Sequence, residues 1–216
     1  MYKSLLAGVI LLALSAFGAA RLGRLGGPEG AAEELRFFPS GRLLDFVSLG
    51  HRTLLADFTW LSAIQYYGKH HMGDRAYPLA EHLFEVTTRV DPQFRSAYIF
   101  GGLVMADEAG DLDAARRFFV RGTRSNPEDW ILAFHRGFIE YMRGDRSVGA
   151  LLMARASKMP GAEAYVSRMA AYACSRVGRT ELALRLWEEM SASEDPSLRA
   201  LAEERLRALR APAGLQ

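Results

Sequence analysis

The chain has a single cysteine, Cys174, and almost no lysine. One thiol forms no internal disulfide and builds no cysteine-rich zinc or iron–sulfur site. It does not exclude an oxidising compartment, where one buried thiol is tolerable. Lysine occurs only as Lys3, Lys69 and Lys158, and arginine supplies the other basic groups, a bias without a physical account. An excess of one charge is also missing. The 27 basic and 25 acidic residues are interspersed and leave a net charge of +2. A nucleic-acid protein usually carries a basic face or stripe, so nucleic acid is not an expected partner.

Catalytic signatures are absent too. There is no G-x-S-x-G nucleophile elbow, and Gly101-Gly102 fall inside a helical pattern rather than a phosphate-cradling loop. Asp57, Asp107 and Glu140 are separate helical carboxylates with no spacing of an acid/base pair. His70 and His71 are adjacent, so on a helix they point about 100° apart. With His82 they lack a carboxylate or cysteine at ligand spacing, and His51 and His135 stand alone. No catalytic residue, metal, cofactor or small-molecule substrate is expected. Half the residues are apolar, enough for a substantial core.

Long apolar runs are confined to the N-terminus. Leu5 to Ala20 carries no charge and lies between Lys3 and Arg21. Sixteen helical residues span about 24 Å, slightly short of a hydrocarbon core of about 30 Å. Tyr2 and the stem of Arg21 extend that reach by snorkelling. Residues 1–22 therefore read as a transmembrane anchor. A cleaved secretory signal is the alternative, with small residues at Gly18 and Ala20. Both readings imply export. The anchor places the chain in an inner membrane with its remainder on the periplasmic side; cleavage yields an exported soluble protein. Residues 23–50 read as a linker and N-terminal cap. Gly26, Gly27 and Pro28 break structure, Ala31–Phe38 fits a short helix stopped by Pro39, Ser40 and Gly41, and Arg42–Gly50 is apolar and helix-compatible.

Beyond residue 51 the chain repeats. A glycine before a charged residue recurs at Gly73-Asp74, Gly110-Asp111, Gly144-Asp145 and Gly178-Arg179, with spacings of 37, 34 and 34. A small residue follows at Ala80, Ala115, Ala150 and Ala183, then a large one at Phe84, Phe119, Met153 and Trp187. A proline closes each unit: Pro92, Pro127, Pro160 and Pro196. Four features keep phase through four units, the signature of a helical array. Trp60, Ala63, Ile64 and Tyr67 give a first helix one apolar face. The glycine is expected in the left-handed position that ends that helix. A second helix carries Leu79, Leu83 and Val86, its alanine permits close approach, and the proline stops it. One hairpin cannot bury its apolar face alone, so neighbours must stack. Leu198 to Leu209 reads as an amphipathic capping helix, with Leu198, Leu201, Ala202, Leu206 and Leu209 apolar.

Ala56 to about Pro196 resembles the tetratricopeptide repeat family. Trp60, Tyr67, Ala80, Phe84 and Pro92 fall on its positions in the first unit, with two extra residues at the turn. Ala115, Phe119 and Pro127 fit in the second, although Gly101-Gly102 come one or two places early. Gly137, Gly144 and Ala156 fit in the third, and Ala171, Gly178, Ala183 and Trp187 in the fourth. The segment from Ser48-Leu49-Gly50-His51-Arg52 through Ala56-Asp57-Phe58-Thr59-Trp60-Leu61, ending Gln65-Tyr66-Tyr67-Gly68, departs from a plain repeat and looks like the entry motif of a group of membrane-anchored bacterial repeat proteins. It reads as a cap on the first repeat or as a docking surface.

The resemblance implies an all-α solenoid of about four helix hairpins with a groove for protein partners. Groove positions are then Phe100, Val104 and Asp107 in unit two, Ile131, Phe134, Phe138 and Tyr141 in unit three, and Tyr165, Arg168, Tyr172 and Ser175 in unit four. Phe100, Val104, Phe134, Phe138, Tyr141, Tyr165, Arg168 and Tyr172 are the expected anchors. A register error of one place turns half of them into core. Arg116, Arg117, Arg121 and Arg124 form a basic cluster that reads as a solvated face or as a contact for an anionic surface. The function expected is a membrane-tethered scaffold or adaptor that binds protein. Its alternatives are a permanent subunit of a large complex and a ligand-binding or enzymatic module.

Overall fold

The computed structural model describes residues 52–211. The anchor, the linker and the segment through Gly50 lie outside them. The described residues form nine α-helices and no strand. They are α1 Arg52–His71, α2 Ala80–Val90, α3 Arg95–Leu103, α4 Leu112–Ser125, α5 Trp130–Met142, α6 Arg146–Ala156, α7 Ala164–Arg176, α8 Thr180–Ser191 and α9 Pro196–Arg210. Each helix packs chiefly on the helices before and after it in sequence. Among the described residues no helix is long and apolar enough to cross a membrane.

The residues that keep phase in the sequence are those the helices bury. Ala80, Ala115, Ala150 and Ala183 are fully buried, and Phe84, Phe119, Met153 and Trp187 are buried beside them. Burying one such large side chain is worth roughly 1.5–3 kcal/mol, so these positions dominate the packing between helices. The tightest approach is at α5 and α6. A Cβ on Gly149 would lie 2.5 Å from the Tyr141 backbone nitrogen, and one on Gly137 would lie 2.7 Å from the Met153 nitrogen. Only glycine allows the two backbones to meet there.

The turn chemistry follows the expectation in three units and departs in the first. Gly110, Gly144 and Gly178 have φ of 68°, 109° and 75°, the left-handed region that favours glycine. In the first unit the left-handed residue is Arg75, at φ 54°, and Gly73 is not in that region. The two extra residues of this turn move the reversal past the glycine, and the Arg75 N–H donates to the His70 carbonyl at 2.8 Å. Pro196 also plays a different part. It does not close α8, which ends at Ser191, but opens α9 behind Asp195, whose carboxylate accepts from the N–H groups of Ser197 and Leu198. Proline suits the first turn of a helix because the N–H it lacks there would be unpaired.

The early Gly101-Gly102 has a structural cause. Gly110 lies eight positions after Gly102, whereas Gly144 lies seven after Gly137 and Gly178 seven after Ala171. The extra residue is taken up by a π-helical turn, Val104–Glu108, in which the Ala109 N–H donates to the Val104 carbonyl at 3.0 Å. A π turn inserts one residue without ending the helix. It keeps both glycines in register: Gly101 faces Phe84 and Phe118, and Gly102 faces the Phe119 ring.

Charge pairing fastens the layers. Glu140 is 4% exposed and accepts from Arg116 Nε at 2.7 Å and Arg143 Nη1 at 3.1 Å. Arg117 and Arg121 reach back to Glu81 and Glu85 on α2 at 2.7 and 3.1 Å. Three members of the basic cluster are therefore tied to carboxylates on other helices.

Candidate partner-binding site

A hollow of about 220 Å³ opens where α5, α6 and α7 meet. Phe138 and Tyr141 line it from α5, Met153 from α6, and Met169, Tyr172, Ala173 and Arg176 from α7. Helical spacing produces the lining. Phe134, Phe138 and Tyr141 stand at i, i+4 and i+7 along one side of α5, and Met169, Tyr172 and Arg176 at i, i+3 and i+7 along one side of α7. Tyr172 is anchored by an edge-on contact with the buried Trp187, centroids 5.0 Å apart. Phe138 stacks on Phe134 at 6.2 Å. Met169 is exposed at the rim, and a thioether adapts its shape to what it meets.

Cationic groups surround these rings. Arg146 lies over Tyr141 at 6.0 Å and Arg205, from α9, over Tyr172 at 5.1 Å. Arg176 is in the lining itself. Among the described residues none of the three has a carboxylate within 4 Å, and Arg205 Nε is buried without a hydrogen-bond partner. Nearby Arg143, by contrast, is held by Asp113, Glu140 and Asp145.

The eight expected anchors separate into groups. Phe138, Tyr141 and Tyr172 come together in the hollow. Tyr165 and Arg168 border a second recess of about 260 Å³ between α7 and α9, with Asp195, Ser197, Leu198 and Leu201. Burial, and then the charge of Glu163, pushes the Tyr165 hydroxyl up. Phe134 is buried and joins the two groups, meeting Tyr165 edge-on at 5.6 Å. Phe100 is elsewhere, packed among Trp60, Tyr67 and Phe84. Val104 is buried in the π turn. Phe134 and Val104 therefore occupy core positions: the aromatic face of α5 turns partly inward, and Val104, two places after Gly102, matches the buried Ile139 and Ala173 two places after Gly137 and Ala171. Sequence reasoning missed Met153, Met169, Arg146, Arg176 and Arg205. Met169 and Arg176 carry a signal in their helical spacing from Tyr172. Arg205 carries none, because it arrives from a different helix.

Other titratable groups are engaged structurally. Tyr67 and Tyr77 donate to the two oxygens of Glu108 at 3.4 and 3.3 Å, beside His71. Burial, and then the Glu108 charge, pushes both hydroxyls up. His70 Nδ1 lies 2.6 Å from Asp74, whose carboxyl is held down first by that hydrogen bond. The Cys174 thiol is buried and pushed up by burial, which disfavours the reactive thiolate. Among the described residues no group of three histidine, cysteine or carboxylate side chains is placed to hold a metal.

Among the described residues, fold and site thus form an all-helical array in which each helix packs on the next, with an aromatic, cation-flanked hollow between its third and fourth helix pairs. No protein-family model matches the chain, and no curated protein matches it.

Proposed function

We propose that the chain is a tetratricopeptide-like α-solenoid that binds another protein at the α5–α7 hollow, while its apolar N-terminus tethers it to a membrane. Two observations support the solenoid. Helices contact chiefly their sequence neighbours, and the phased alanines and large residues are buried in all four units. Both are expected where each repeat packs only on the next.

The observation that carries the binding reading is the hollow. It combines three half-buried aromatic rings and a methionine rim with guanidinium groups that lack carboxylate partners. Aromatic side chains offer a large contact area at little rotamer cost. Unpaired arginines gain from a carboxylate that arrives with the ligand. The matching partner presents an apolar side chain beside acidic groups, as an amphipathic acidic helix does. The charge-free run Leu5–Ala20 supports the tether, and under this proposal the helices lie on the periplasmic side of an inner membrane.

The test is site-specific photo-crosslinking in native membranes, with the reactive group at position 172 or, as a control, at the exposed Arg185 on α8. The expected result is one defined protein adduct from position 172 that is absent from position 185. Equal adducts from both positions, or none from position 172, would end this reading.

A further inference from the structure

The first helix leaves an apolar face open. Leu54, Phe58 and Leu61 are 69%, 62% and 53% exposed. They stand at i, i+4 and i+7, within an arc of about 60° on the helix wheel. The buried residues of α1, namely Ala56, Thr59, Ala63 and Tyr66, lie on the opposite side and face the rest of the stack. The stripe is short. The next residue on its arc, Gln65, is polar and exposed, so the uncovered length from Leu54 to Leu61 is about 10 Å.

The other end of the stack is finished differently. α9 buries Ala202 and Leu206 against the preceding helix. It turns Arg199, Glu203, Glu204 and Arg207 to solvent. No such helix covers α1 among the described residues, yet 51 residues precede it. The nearest of them, Arg42–Leu49, carry Leu43, Phe46 and Val47 at i, i+3 and i+4, with Arg42 and Asp45 off that face. Eight helical residues are about 12 Å long, which matches the stripe. Gly50-His51 separates this segment from Arg52, where α1 begins, and glycine permits the reversal needed to run antiparallel. A tether of two residues gives this segment a high effective concentration at that face.

We propose that Arg42–Leu49 folds back as a helix and packs Leu43, Phe46 and Val47 across Leu54, Phe58 and Leu61. It is the N-terminal counterpart of α9. The proposal is independent of the α5–α7 hollow.

The experiment uses the full chain, purified in detergent, with Phe58→Cys read by the rate of maleimide labelling. Native Cys174 is buried and gives the background. Met72→Cys, at a position 87% exposed, sets the open rate. The expected result is labelling of Phe58→Cys at least tenfold slower than Met72→Cys. Adding Leu43→Glu and Phe46→Glu should restore the open rate without loss of helicity, since neither residue belongs to the described core. A Phe46→Cys/Phe58→Cys chain should also form an intramolecular disulfide on mild oxidation. Labelling of Phe58→Cys at the open rate would overturn the proposal. So would protection that survives the two glutamates, whether it disappears on dilution, as for a second copy, or persists in micelles or vesicles, as for a lipid surface.

Discussion

Val104, Phe138 and Tyr172 stand 34 residues apart in sequence, but counted from Gly102, Gly137 and Ala171 Val104 falls one place later than the other two, and it meets a different fate. Phe138 and Tyr172 border the hollow, whereas Val104 is buried. Around Val104 the chain has inserted a residue as a π turn, and Phe100 closes against Trp60, Tyr67 and Phe84. Tyr67 and Tyr77 are further tied to Glu108 of that turn. Between the third and fourth pairs, no π turn intervenes, and the rings stop short of one another. The repeat position decides which helices a residue faces. Local helix geometry sets the register: the extra residue of the π turn puts Val104 at the place of the buried Ile139 and Ala173.

The largest expected effect tests how alike the two regions are beneath this difference. Phe119 and Trp187 share one repeat phase and are both buried. Phe119→Ala and Trp187→Ala should each cost about 3–5 kcal/mol in urea unfolding. A Trp187→Ala loss below about 1 kcal/mol would mean that the fourth pair is not packed as the second is.

Gly149→Ala should come next. Its Cβ would press on Tyr141 backbone at 2.5 Å and force α5 and α6 apart, at a cost of about 1–3 kcal/mol. Because Tyr141 and Met153 both line the hollow, partner capture should fall with stability. Gly144→Ala meets nothing within 4 Å and is strained only by its φ of 109°. It should cost stability and spare capture in the fraction that remains folded.

A smaller effect should appear with pH. His135 stacks on Phe119 at 5.3 Å, and burial holds its imidazole below the ordinary value, against the opposing charges of Asp107 and Asp129. The folded chain therefore resists binding a proton that the unfolded chain accepts. The associated stability is present above the ordinary histidine value of about 6.5 and is lost as pH falls through it. His135→Phe should flatten the melting temperature between about pH 7 and pH 5. An unchanged slope would show that the sensitivity resides elsewhere.

Much of the helix plan could be read from residue spacing. Large residue and turn glycine recur with a period of 34 in units two to four, the alanine with spacings of 35 and 33, and the structure buries or turns them accordingly. Two local features escaped. A left-handed Arg75 gives no composition signal, and a π turn looks like a helix with one glycine out of place. The site was legible where one helix supplies neighbours at i, i+3 or i+4, as with Phe138 and Tyr141. It was illegible where the contact is between helices, as with Arg205 over Tyr172. Helical periodicity also does not tell a half-buried aromatic from a buried one, which is why Phe134 reads as an anchor and packs as core.

The α5–α7 hollow is either a surface for a partner, as proposed, or unfilled core. Phe138→Ala and Tyr172→Ala separate the two when thermal melts and partner capture from detergent-solubilised membranes are measured on the same preparations. Both side chains are half-buried at the rim, so each variant should keep native helicity and most of its melting temperature while capture falls at least tenfold. Trp187→Ala should do the reverse, losing stability first and capture only as a consequence. Melting temperatures that fall as far for Phe138→Ala and Tyr172→Ala as for Trp187→Ala, or capture that survives both, would contradict the account.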